Sequence, residues 1–300
     1  MSDRFASASA AVGRPWRAAA DQGAVRRLAR RRLARSPLAI VSWAVLVFLV
    51  AVALFGPLLA RTSPLLQSSS ALLPVGSRGH LLGTDDLGRD ELTRLVYGAR
   101  PLVLISLAST ALACVLGVTV GTVAGYLGGR VEGLVMRVVD LGLALPSVML
   151  IILLVAGLGT GPVGLILGIG ISLAPAMARF ARALAVRERG RDYVAAARLG
   201  GAHALSIMLG EVLPNTAGQI LAQAAMTLSV AAGFEAGLSY IGLGIQPPTP
   251  DWGYMVAEGQ QFLYGSSSLV ILPALATLIF VVACNFVGDD LRDAFDPSDG

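Results

Sequence analysis

Apolar residues along this chain gather into six runs long enough to cross a lipid bilayer, with shorter polar stretches between them. A crossing needs about 20 mostly apolar residues to span roughly 30 Å of hydrocarbon. The qualifying runs cover about 37–60, 101–126, 134–157, 163–184, 216–240 and 269–288. Each is read as a helix, because a spanning segment must satisfy its backbone polar groups internally. The third and fourth are the least clean, since Arg137 and Asp140 enter one and Arg179 and Arg182 close the other. Long side chains near span ends reach the interface, so these charges do not disqualify either run. The pattern predicts an all-α membrane protein with six transmembrane helices.

The polar stretches predict the orientation. Residues 1–36 hold nine Arg, including "RRLARRRLAR" at 26–35, and loops on the cytoplasmic side carry an excess of basic residues. With that end inside, six alternating spans put 127–133, 185–215 and the tail inside as well. Those regions and the adjoining span ends hold Arg130, Arg137, Arg179, Arg182, Arg187, Arg189, Arg191, Arg198 and Arg292. Only Arg61, Arg78, Arg89, Arg94 and Arg100 fall outside, among Asp85, Asp86, Asp90 and Glu91. The organisation is then a cytoplasmic Arg-rich segment 1–36, an anchor helix 37–60, an outer loop 61–100, a core 101–290 containing the cytoplasmic loop 185–215, and a cytoplasmic tail 291–300. The first run is too long for a signal-peptide core and no small-x-small site follows it, so it reads as a retained anchor. An Arg-rich leader can touch anionic lipid or nucleic acid. Its place beside a span makes topology a sufficient explanation, so lipid is an expected partner and nucleic acid is not.

Glycine and proline refine the spans. Gly117, Gly121 and Gly125 recur every four residues on one face of the second, the spacing that lets two helix backbones approach closely in lipid. Pro146 and Pro175 interrupt the third and fourth, each removing a backbone donor. Kinks alone and a pathway-lining role both fit them.

Composition narrows the chemistry. The chain is 55% hydrophobic and 14% charged, and all 23 basic residues are Arg. A phosphate-binding loop needs a Lys to reach the terminal phosphates. Without Lys the chain carries neither its own ATPase site of that kind nor a Schiff base, so no catalytic residue and no cofactor is expected in it. His80 and His203 fall in loops on opposite sides, which excludes a shared metal centre or a Ser–His pair. Cys114 and Cys284 lie inside apolar runs and read as packing residues.

The segment "GRDYVAAARLGGAHALSIMLGEVLPN" at 190–215 interrupts the apolar pattern for longest. It breaks at Gly201 into an Ala-rich helical piece and a second piece that sets Leu205, Met208, Leu209 and Val212 on one helical face. Pro214 reads as the boundary with the next span. Such a helix can lie on lipid or enter a groove on a partner, and its pattern leaves both open. The stretch resembles the Glu-Ala-Ala loop of permease subunits in ATP-binding-cassette importers: Ala195, Ala196 and Ala197, three residues, Gly201, nine residues, then Glu211, Val212, Leu213 and Pro214. Ala195 stands where that family has Glu, and Glu211 where it has Ile.

Three further stretches, "LGTDDLGRDELTRLVYGAR" at 82–100, "EAGLSYIGLGIQPPTPDWG" at 235–253 and "NFVGDDLRDAFDP" at 285–297, together with 125–146, are similar to the C-type permease of dipeptide, oligopeptide and nickel importers. The resemblance implies a type I, MetI-like permease core of five helices preceded by one anchor helix, in a bacterial inner membrane with both termini cytoplasmic. It further implies a second homologous permease, cytoplasmic ATPase subunits that hold ATP and Mg, and an extracytoplasmic substrate-binding protein. The ATPase-coupling residues would be Ala195, Ala196, Ala197, Gly201, Leu205, Leu213 and Pro214. Di- or oligopeptides are the first substrate class, nickel the second; a gradient-driven transporter is the alternative from another class.

Within the membrane, Gln219, Gln223, Thr227 and Glu235 fall along one stripe of the fifth span in four-residue steps. They could line a polar route or bond across helices. Asp140 faces the same choice, with Arg137 as its nearest cation in sequence. "QPPTP" at 246–250 cannot be helix interior, and the aromatic pair of "DWGY" suits the outer interface, making 241–268 a candidate contact for a delivering protein.

Overall fold

The computed structural model describes residues 37–59 and 62–295; the Arg-rich segment 1–36 and the last five residues lie outside this range. Its helices are α1 (Pro37–Leu59), α2 (Glu91–Leu127), α3 (Gly129–Ala144), α4 (Ser147–Leu158), α5 (Pro162–Arg189), α6 (Asp192–Leu199), α7 (Ala204–Ile207), α8 (Leu213–Tyr240), α9 (Trp252–Gly259) and α10 (Ser268–Phe295). A π-turn, Met208–Val212, joins α7 to α8, so that Ala204–Tyr240 runs as one stretch. Among the described residues, five helices are long and apolar enough to span a membrane, and the pair α3 and α4, bent by 90°, supplies a sixth crossing if it counts as one span.

Several expected boundaries shift for physical reasons. The second span begins at Glu91 rather than 101, because Asp90 caps it: its carboxylate accepts from the Thr93 N–H at 2.9 Å. Pro146 breaks the third run, and the chain turns between Ala144 and Ser147. Pro175, by contrast, stays inside a continuous α5, packed where a Cβ on Gly142 would meet its ring at 2.8 Å. Pro214 is not a boundary. It occupies the first turn of α8, and the π-turn before it takes up the strain of its missing donor.

α2 and α5 cross at the centre, and the glycine face of α2 is what lets them. A Cβ on Gly117 would lie 2.7 Å from the Ala174 carbonyl and one on Gly125 2.6 Å from the Arg182 carbonyl, with Gly121 as tight against Ala178. Around this crossing lie three apolar clusters. One joins Ala53, Leu102, Ala232, Trp252, Phe280 and Cys284 across α1, α2, α8, α9 and α10. A second packs α4 and α5 on α2 and α8 through Ile105, Ile151, Val155, Leu165 and Ile169. The third holds the 190–215 segment. Outward faces stay apolar, as at Val47, Phe48 and Phe55 of α1, which suits hydrocarbon. Cys284 is buried and Cys114 half-buried, both as free thiols.

Candidate functional site

The 190–215 segment folds as two short helices locked beneath the ends of α2, α5 and α8. Val194 of α6 is fully buried against Tyr126, Ala185, Ile207, Met208 and Val212. α6 ends in a Schellman motif: the Ala202 N–H reaches back to the Ala197 carbonyl at 3.1 Å and the Gly201 N–H to Arg198 at 3.0 Å. Gly201 takes φ +79°, the left-handed conformation that glycine adopts without penalty. Polar ties add to the lock. Tyr193 donates its hydroxyl to Glu188 at 2.7 Å, and Arg187 bonds both Glu188 and, at 2.8 Å, Gln219 of α8. Arg198 lies over the Tyr126 ring at 5.0 Å. Burial and the Glu188 bond both push the Tyr193 phenol up, so it stays a donor.

Ala195, Ala196, Leu205 and Pro214 are exposed, while Ala197 and Leu213 are half-buried. The expected single apolar face divides. Met208 and Val212 turn inward with Ile207, whereas Leu205 and Leu209 remain 62% and 57% exposed, beside Leu199 at 91%. The split follows i, i+4 pairs: Met208 and Val212 pack on Tyr126 and Val194, while Leu205 and Leu209 lie on the side turned away from them. The outcome is a projecting surface of small and apolar side chains fastened to three spans.

The opposite end of the bundle holds a polar network that the charge pattern of 82–100 did not reveal. Asp85 receives Arg89 at 2.5 Å and Arg94 at 2.9 Å, and Arg94 also reaches Glu258 of α9 at 2.5 Å. Asp85, Arg89 and Arg94 are each less than a tenth exposed. The i, i+4 spacing of Asp85 and Arg89 was the available signal; the partner on α9 had none. Trp252 does not sit at an interface. It is buried against Gly98, with its indole N–H on the Leu95 carbonyl at 2.8 Å. Tyr254 is half-buried.

On α8, Thr227 and Glu235 are buried while Gln219 and Gln223 are half-buried. Thr227 donates to the Gln223 carbonyl at 2.8 Å, and Glu235 is enclosed against Asp251 and Ser239. Burial pushes the Asp251 carboxyl above its ordinary value. Asp140 pairs with Arg179 at 2.6 Å rather than with Arg137, because α3 lies alongside α5. Glu132 likewise takes Arg182. His80 bonds Asp90 at 3.0 Å, far in sequence from His203, which precedes α7.

The structure is thus a helical bundle with a close glycine-faced helix contact, a helix pair bent by 90° and a segment projecting beneath three long apolar helices. The chain belongs to the family of binding-protein-dependent transport system inner membrane components, matched over residues 117–298, and residues 25–74 match the N-terminal transmembrane domain of oligopeptide transport permease C. It is therefore a multi-pass inner-membrane permease of the ABC importer class. It is 42% identical over 258 residues to the di/tripeptide transport system permease of Pseudomonas aeruginosa, covering 84% of this chain and 85% of that one. The dipeptide transport permease of Escherichia coli K12 is 40% identical over 265 residues, covering 86% and 88%. Among solved structures, an inward-facing MetNI methionine ABC transporter shares the fold, with TM-score 0.57 and 19% identity over 68% of this chain and 96% of that one.

Proposed function

We propose that the chain forms half of a translocation pathway for di- or oligopeptides and couples it to separate ATPase subunits through the 190–215 segment. The exposed small and apolar surface of Ala195, Ala196, Leu199 and Leu205 carries this reading, because it projects from a segment rigidly tied to α2, α5 and α8. A partner that grips this surface moves three spans together. The small side chains at 195–197 allow close approach, Gly201 fixes the segment's corner, and Leu213 and Pro214 carry it without a break into α8. The second permease, the ATPases with ATP and Mg, and an extracytoplasmic binding protein follow from the importer class. The names of the relatives support the peptide substrate. The concentration of Arg at the 190–215 end supports a cytoplasmic placement of that end and of both termini. Gln219, Gln223 and Thr227 are the part of the α8 stripe proposed to face the route.

The test places a charge on the gripping surface. Leu205→Asp is expected to leave membrane insertion intact while abolishing ATPase pull-down and dipeptide uptake, since Leu205 makes little contact within the chain. Retained pull-down with uptake at the parental rate overturns the coupling assignment. Uptake of nickel but not dipeptide by the parent complex overturns the substrate class alone.

A further inference from the structure

Glu235 of α8 and Asp251 at the start of α9 are both 0% exposed. Asp251 caps α9, accepting the Tyr254 N–H at Oδ1 (3.1 Å), and the Gly253 N–H also points to it. Ser239, one turn beyond Glu235, donates its hydroxyl to Glu235 Oε1 at 3.5 Å and lies beside Asp251. The two carboxyls face each other where the start of α9 packs on α8, an added Cβ on Gly253 falling against the Ala236 backbone. Even so, among the described residues Glu235 Oε2 and Asp251 Oδ2 meet no hydrogen-bond donor.

Among the described residues, no cation bears on either carboxyl. α2 presents Gly98 and the Leu95 carbonyl to the adjacent Trp252, and α8 presents Ala236 to Gly253. The other charged and titratable groups near α9 are Tyr254 and Glu258 on that helix, Glu91 and Arg94 on α2, and Asp85, Asp86 and Arg89 before it. They interact with one another at the far end of α9 and not with this pair. α10 contributes the buried, neutral Cys284 to the same cluster as Trp252.

Two ionised carboxylates are acceptors only and cannot bond to each other. Enclosed together without a cation, they would be two uncompensated buried charges facing one another. One proton removes the conflict: a neutral carboxyl donates to an ionised one, and both orphaned oxygens are satisfied. Local geometry decides which residue carries it. Asp251 faces the first N–H groups of α9, where negative charge is favoured, so Asp251 is the acceptor and Glu235 the donor.

We propose that Glu235 and Asp251 share a single proton, carried by Glu235 and donated to Asp251, and that this bond latches the outer helix α9 onto α8. The proton is the ligand of the site. While it is bound, α9 holds Trp252 against Leu95 and Glu258 against Arg94. When it leaves, repulsion between two enclosed carboxylates drives α9 away from the bundle. The latch is therefore strongest in acid and weakens as pH rises. This inference concerns the chain's own chemistry and stands independently of the ATPase or the substrate.

Glu235→Gln and Asp251→Asn decide it, with the purified permease in nanodiscs. Infrared spectra of the parent should show a protonated-carboxyl stretch that is diminished in Glu235→Gln, whose amide supplies the donor permanently. Hydrogen exchange gives the second readout. In the parent, protection of the Trp252–Gly259 amides should fall by up to about tenfold per pH unit as pH rises above the ordinary carboxylate range, and level off once the closed form has itself lost the proton. In Glu235→Gln it should stay flat with pH. Equal carboxyl bands in the parent and both variants, or the same pH dependence of α9 protection in the parent and Glu235→Gln, overturns the proposal. Both replacements preserve shape and leave at most one charge, so failure of both to assemble also overturns it, by showing that the site needs two negative charges.

Discussion

Arg94 and Glu258 stand 164 positions apart and meet through a 2.5 Å bond from guanidinium to carboxylate, which ties the first turn of α2 to the last turn of α9. Arg94 is 3% exposed and also holds Asp85, so it is the hinge-pin of this network. Removing one partner of a buried pair leaves the other charge uncompensated, a loss of about 3–5 kcal/mol. Arg94→Met is expected to lower stability by an amount in that range. Glu258→Gln, which keeps an acceptor and sits at the more exposed edge, should cost about 1 kcal/mol. Thermal unfolding of the detergent-solubilised permease at low and high salt checks this. The Arg94 deficit should persist at high salt, since buried pairs are screened little.

The α2–α5 crossing has no room for side chains on the glycine face. Gly121→Val sets a branched side chain against the Ala178 carbonyl and the Ala181 Cβ. Overpacking of this kind costs about 1–3 kcal/mol, and here the obstacle is backbone, which cannot swing aside. Gly133→Ala is the comparison: its Cβ enters open space inside α3, and Ala favours helix over Gly by up to about 1 kcal/mol. Yield and melting temperature should fall for the first and hold or rise for the second.

The cap of α2 gives a pH dependence with a definite sign. Partial burial pushes the Asp90 carboxyl up, but hydrogen bonds from the Thr93 side chain, His80 and the Thr93 N–H outweigh it and hold the group below its ordinary 3.8. A depressed acid stabilises the fold above its unfolded value, and that contribution is lost as pH falls through the folded value. Asp90→Ala should cost about 1 kcal/mol at neutral pH, the worth of an N-cap. It should also flatten the acid limb of a stability-against-pH curve. An unchanged acid limb in the variant would remove Asp90 from the account.

The spans and the close approach of α2 to α5 were legible because both are periodic: apolar length marks a crossing, and four-residue glycine spacing marks a contact. The break at Pro146 was legible for the same local reason. What escaped were relationships set by tertiary contact. Arg137 lies nearest Asp140 in sequence, but α3 lies along α5 and presents Asp140 to Arg179. Trp252 looked like an interfacial aromatic, yet Gly98 opens a slot for it inside the bundle. Leu205, Met208, Leu209 and Val212 read as one apolar face, but only Met208 and Val212 find partners inside the chain. Nothing in the local pattern around Glu235 announced Asp251, since the two are brought together only when the chain after α8 folds back.

Gly201 separates conformation from contact. Its φ of +79° disfavours any side chain, while the space around it within the chain is open: no heavy atom lies within 4 Å of an added Cβ. A β-branched residue there loses about 1–2 kcal/mol from the backbone alone. Gly201→Val should therefore loosen the Schellman turn and let α6 fray while the spans stay packed. Gly201→Asn, which tolerates the left-handed region, should retain most of the turn. If the corner acts only through its shape, Asn restores ATPase pull-down and dipeptide uptake to near the parental level and Val does not. If the corner is itself a contact, both variants fail, because either side chain projects into the partner. Uptake by the Gly201→Val complex at the parental rate would mean that the turn transmits nothing. Parallel measurement of insertion, pull-down and uptake for the two variants distinguishes these outcomes.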